Sequence, residues 1–132
     1  MTQPRFFRHR ALARDRPAAY HGYMGQTAAP RPRPFSGPTG RLVLEHRQEI
    51  QEILDRHGLR RAELFGSVAR GDDTANSDID LLVDYPSGIG LFTIARIQAE
   101  LEQILGVDVD LVPRAGLKPA VRAVIQHELI PL

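Results

Sequence analysis

Between Arg41 and Leu132 the apolar residues recur in two different periods, and the switches between those periods mark out the elements. "RLVLEHRQEIQEILDRHG" sets Leu42, Leu44, Ile50, Ile53 and Leu54 among charged residues, which predicts a helix that Gly58 is placed to end. "LRRAELFG" then reads as a short strand running into Gly66. "SDIDLLVDY" alternates Ile79, Leu81 and Val83 against Asp78, Asp80 and Leu82, the pattern of a strand with one buried face. "GLFTIARIQAELEQILG" returns to helical spacing with Leu91, Ile94, Ile97, Leu101, Ile104 and Leu105, and closes on Gly106. "VDVDLV" is a further alternating strand, and "LKPAVRAVIQHEL" a last helix with Pro119 in its first turn. The order helix, strand, strand, helix, strand, helix predicts a small α/β domain over residues 41–132.

The forty residues before it have no sustained period. They are rich in Pro, Arg, Gly and Ala, and "PRPRP" favours an extended or polyproline conformation because proline removes backbone donors. Residues 1–40 are therefore expected to form a disordered basic arm, with contact to nucleic acid or an acidic partner as the sharper alternative. The segment is Arg-rich like an organellar presequence, but its prolines break the amphipathic helix such a segment needs. A start at Met24 or near Arg41 is a further reading of the same stretch.

Charge sharpens this division. The arm holds seven Arg and one Asp, a balance of +6, and residues 41–132 hold ten Lys plus Arg against fifteen Asp plus Glu, a balance of −5. The overall +1 thus joins a basic arm to an acidic domain, which argues against the folded part being a general nucleic-acid binder. The absence of cysteine excludes disulfides and thiolate metal sites. No apolar run approaches the roughly 20 residues that span a bilayer, so a cytoplasmic protein without membrane contact is expected. The five His are scattered and suggest no zinc site.

The candidate chemistry lies in "FGSVARGDDTANSDIDLLVDY". Residues two apart on a strand face the same side, about 6.6 Å apart along the backbone, so Asp78 and Asp80 can aim at one spot. Like charges so placed repel unless a cation or protons relieve them. Oxygen donors without His or Cys suit Mg²⁺, which is completed by water and substrate phosphates. Taken alone, the pair also fits the wet face of an edge strand. Its company is Gly66 and Ser67 at a strand end, where the backbone can approach a ligand and a short helix can begin, with Arg70 one turn further on. Asp108 and Asp110 share one face of "VDVDLV" and supply a third carboxylate. Three acids from two strands can hold two metal ions, one activating a hydroxyl and one neutralising pyrophosphate.

The Gly-Ser pair, ten residues, then Asp-x-Asp resembles the signature of the minimal nucleotidyltransferase (MNT) proteins of the DNA polymerase β-like superfamily. "VDLVPRAGLKPAVRAVIQHELI" looks like that family's third-carboxylate strand and closing helix, so the resemblance covers about residues 42–130. It implies a small mixed sheet with flanking helices. It also implies that Gly66 and Ser67 hold the triphosphate of ATP while Asp78 and Asp80 coordinate two Mg²⁺ ions. Asp110 matches the catalytic-metal carboxylate, with Asp108 as competitor. Arg70 would contact phosphate and Ser77 fix the turn before the metal strand, or both would merely shape the loop. Asp72, Asp73 and Asp84 are expected to be solvated charges. Proteins of this form act as antitoxins to a HEPN-domain ribonuclease toxin by transferring AMP to one of its tyrosines, which implies a hetero-oligomer with the toxin and no direct nucleic-acid substrate. Neutralisation by binding alone, or nucleotidyl transfer to an aminoglycoside-type small molecule, remain the alternatives.

Overall fold

The alternating segments form one four-stranded sheet, and the structure, a computed structural model, describes residues 32–132. The expected arm falls outside the described residues over positions 1–31. Arg33–Leu132 form a compact unit. In chain order its elements are α1 (Pro38–Glu45), α2 (Arg47–Arg56), β1 (Arg60–Phe65), the one-turn α3 (Ser67–Arg70), β2 (Ile79–Asp84), α4 (Leu91–Leu105) and β3 (Val109–Pro113). A 3₁₀ turn (Arg114–Gly116), α5 (Pro119–Ile125) and β4 (Ile130–Pro131) complete it. The sheet order is β3-β2-β1-β4. β1 runs antiparallel to β2 and β4, whereas β2 and β3 are parallel and joined by the crossover through α4.

One face of this sheet carries the core. Leu64, Ile79, Leu81, Val83, Val109 and Leu111 pack there with Ile50, Ile53 and Leu54 of α2 and Ile94, Ile97 and Leu101 of α4. Each such side chain contributes about 1.5–3 kcal/mol by leaving water. β3 is an edge strand, and α4 covers its exposed donors: Gln98 and Glu102 accept from the backbone N–H of Leu111 and Val109, both at 2.9 Å. Tyr85 reaches the same strand, donating to the Leu111 carbonyl at 2.9 Å, and its burial pushes the phenol pKa up to about 12.

Several expectations change. The first helix is two helices, broken at His46, whose Nδ1 pairs with Glu49 at 2.6 Å. Each half keeps its own phase, so Val43 is buried and Leu44 is not. α1 also begins at Pro38, ahead of Arg41, with proline where the first turn needs no donor. β2 has no wet face, because Asp80 and Leu82 are as buried as Ile79 and Leu81. Leu91 belongs to no buried stripe, and both it and Phe92 stand in solvent at the start of α4. The last helix stops at Ile125, and the chain then turns to add β4 beside β1, where Pro131 is tolerated on an edge.

Candidate active site

The second sheet face carries the acids. Asp80 of β2 lies in register with Asp110 of β3 on one side and Phe65 of β1 on the other. Residues in register on neighbouring strands, about 4.8 Å apart, project from the same face. Both carboxylates are buried, Asp80 at 0% and Asp110 at 4% exposure. Asp78 precedes the strand by one residue and is half-buried. Asp108 also precedes its strand and is exposed, so register favours Asp110 as the carboxylate beside Asp80.

Gly66 is required by Asp80. A Cβ there would stand 2.3 Å from Asp80 Oδ2, and the residue has φ +79°, where side chains are disfavoured. This close approach brings the end of β1 against the acid pair, and Ser67, buried at 7% exposure, begins α3 immediately after it. Gly71 closes that single turn in the left-handed region, with its N–H on the Ser67 carbonyl at 2.8 Å. Ser77 shapes the following loop: its hydroxyl accepts from Thr74 N–H at 2.8 Å and its N–H donates to the Thr74 carbonyl at 3.1 Å.

Arg70, expected either to contact phosphate or to shape the loop, donates to protein carboxylates, as does the Gly66 N–H. Glu128 accepts from Gly66 N–H at 2.6 Å and from Arg70 Nη1 at 3.3 and 3.4 Å. Asp72 accepts from Arg70 Nε at 3.2 Å. Sequence reasoning passed over Glu128, which lay inside a presumed last helix. Asp73 corrects another expectation. It is buried and accepts from Gly40 N–H at 2.9 Å, supplying a carboxylate to the first turn of α1. Asp84 keeps about a third of its side chain in solvent, as expected, but is also ion-paired. Arg61 and Arg114 both bond it, and Arg114 also bonds Glu63 and the Arg61 carbonyl.

Asp80, Leu82 and Asp84 step along one face of β2. A cavity of about 430 Å³ lies over the latter two, walled by Arg114, Leu117, Arg122 and Ile125. The donor set beside Asp80 fits Mg²⁺ on chemistry and register, since that ion takes one or two carboxylates and completes its octahedron with water and phosphate oxygens. Among the described residues no three His, Cys, Asp or Glu side chains are drawn closely enough together to hold an ion by themselves. No helix among the described residues is long and apolar enough to cross a membrane.

Residues 45–132 match the nucleotidyltransferase domain family. The chain is 33% identical over 89 residues to the protein adenylyltransferase MntA of Thermococcus cleftensis, an alignment covering 67% of this chain and 87% of that one. A solved minimal nucleotidyltransferase shares 41% identity and superposes with a TM-score of 0.62, over 70% of this chain and 94% of that one. A mutant of the MntA–HpeT toxin–antitoxin complex aligns at 25% identity and a TM-score of 0.56, over 65% of this chain and 70% of the solved one. With the acid pair, the glycine approach and the mixed sheet in place, the chain belongs to the nucleotidyltransferase domain family, as a minimal nucleotidyltransferase of polymerase β-like fold.

Proposed function

We propose that this nucleotidyltransferase is a protein adenylyltransferase antitoxin that moves AMP from ATP to a tyrosine of a HEPN ribonuclease toxin. The observation that carries the proposal is the register of Asp80 with Asp110, with Gly66 held against Asp80. The relatives named for protein adenylyl transfer and for a toxin–antitoxin complex support the choice of acceptor. Asp78, Asp80 and Asp110 would hold Mg²⁺, which when bound lowers the pKa of the attacking hydroxyl and neutralises the leaving pyrophosphate.

The residues of this chain do the rest. Gly66, Ser67 and Arg70 line the side on which the β- and γ-phosphates rest. In-line displacement then places the acceptor on the opposite side, toward Leu82, Asp84 and their cavity. The tyrosine oxygen forms a bond to the α-phosphorus as the bond to the bridging oxygen breaks. Asp110 receives the hydroxyl proton, and pyrophosphate departs. A bulky, anionic adenylate near the toxin's RNase site would repel RNA phosphates.

The test is to incubate this chain with ATP, Mg²⁺ and a purified HEPN ribonuclease toxin that it neutralises, and to read the toxin by intact-protein mass spectrometry. The toxin gains the mass of at least one AMP, and Asp78→Ala with Asp80→Ala abolishes the gain. If that double variant silences an unmodified toxin as well as the parent does, the chain works by binding and the transfer reading is wrong.

A further inference from the structure

The structure assigns Glu128 a part in the nucleotide site, as the positioning residue that clamps the Gly66–Arg70 turn from behind. The inference rests on the reading that this turn meets the triphosphate.

The pairing of β1 with β4 shows how Glu128 comes to be there. Glu63 lies opposite Pro131 and Leu64 opposite Ile130. Continuing that antiparallel register sets Leu129 opposite Phe65 and Glu128 opposite Gly66. The strand pairing stops two residues short, and the carboxylate of Glu128 takes the Gly66 N–H, at 2.6 Å, that a longer ladder would have used. Gly66 thus turns its N–H sideways to the C-terminal segment while the hydrogen in place of its side chain faces Asp80.

The same carboxylate holds the other end of the turn. Arg70 Nη1 donates to both oxygens of Glu128, whose side chain is only 9% exposed. Burying a carboxylate at that depth is costly unless donors satisfy it, and here a backbone N–H and a guanidinium do so. α3 between them is a single turn of four residues. Helices shorter than about 12–15 residues do not hold themselves in water, so its direction is imposed from outside. Glu128 imposes it at both ends, which fixes where Ser67 points and how near the turn stands to Asp80, without Glu128 touching the nucleotide.

Glu128→Ala and Glu128→Gln test this, read by calorimetric binding of Mg²⁺·ATP, by KM for ATP against kcat, and by amide hydrogen exchange at residues 66–71. Glu128→Ala is expected to weaken ATP binding and raise KM about tenfold, the scale of lost outer-shell support, with kcat within about threefold. Exchange at residues 66–71 rises. Glu128→Gln keeps an acceptor for Gly66 but loses the ion pair, and falls between. Combining Glu128→Ala with Arg70→Ala costs less than the product of the single effects.

Unchanged KM with faithful exchange protection overturns the inference. So does a fall in active fraction at constant KM, which would mark a purely structural contact. Tighter ATP binding also overturns it, since the carboxylate would then be a competitor for the site. If the parent chain binds no Mg²⁺·ATP, the proposed function fails instead. The exchange measurement still decides the clamp, because parent-like protection in Glu128→Ala refutes it.

Discussion

Two carboxylates on one face of β2, four residues apart, have opposite surroundings. Asp84 sits in a cluster where two acids, Glu63 and Asp84, meet two guanidiniums, Arg61 and Arg114. Arg114 is the hub, tying β1, β2 and the turn after β3 together through Asp84, Glu63 and the Arg61 carbonyl. Asp80 sits instead beside a second acid, Asp110, with Gly66 giving up its side chain to let the backbone in. The strand positions are equivalent and the residue type is the same. An aspartate on a strand therefore says nothing about chemistry by itself. Matched charge makes a rivet, whereas gathered like charge with a glycine approach is the arrangement proposed above to take nucleotide and metal.

Gly66→Ala strikes the second arrangement hardest. The new methyl would lie 2.3 Å from Asp80 Oδ2 and occupy a backbone conformation at φ +79°. Strain of this kind costs about 1–3 kcal/mol, and displacing the turn by about 1 Å costs about 100-fold in rate. Thermal melting and AMP transfer measured together check both numbers. Retained activity with a lowered melting point would mean that the close approach serves folding alone.

Arg114→Met is the converse and the next largest. Arg114 is 18% exposed on its side chain and serves two acids. Removing it takes this partner from Glu63 and leaves Asp84 with Arg61, and because both acids are about a third exposed the screened cost is about 1–2 kcal/mol of stability. Mg²⁺·ATP binding per folded molecule should stay within about twofold, because the hub lies at the far end of the strand from Asp80, whereas transfer itself should fall if the acceptor enters the cavity that Arg114 walls. Denaturant unfolding and calorimetric Mg²⁺·ATP binding separate the two effects. An equal loss of ATP affinity in the folded fraction would erase the distinction between the two ends.

How much of this was legible depends on what each feature needs. α4 and its stop at Gly106 need only local period and a left-handed glycine, and β2 and β3 only alternation, so all three were readable. The spacing offered both Asp108 and Asp110 of "VDVDLV" as neighbours of the Asp-x-Asp pair, and the register puts Asp110 beside Asp80. The break at His46 was hidden because five apolar positions fit one helix as well as two. β4 was hidden because a two-residue strand carries no period, and it exists only where β1 offers an edge. The burial of Asp73, the pairing of Asp84 and the role of Glu128 were hidden for one reason. Each is decided by the donor the carboxylate meets, and those donors, Gly40 N–H, Arg61 and Gly66 N–H, are 33, 23 and 62 residues away.

The smallest effect sharpens the comparison through pH. The Asp84 carboxyl is held below its ordinary range, chiefly by the hydrogen bond from Arg61, against burial, which pushes it up, and with help from Arg114. A carboxyl depressed in the folded state binds its proton more readily when unfolded. Its contribution to stability is therefore complete above the unfolded value of about 3.9 and is lost as pH falls through the lower folded value. Arg61→Ala removes the first cause while Arg114 remains. The variant should unfold slightly earlier than the parent at neutral pH, with the two denaturation midpoints converging as Asp84 protonates in acid. Arg61 is exposed, so salt should also narrow the gap. A gap that persists unchanged through the acid range would show that the Arg61 side chain acts by packing, and the matched-charge account of this end of the strand would fail.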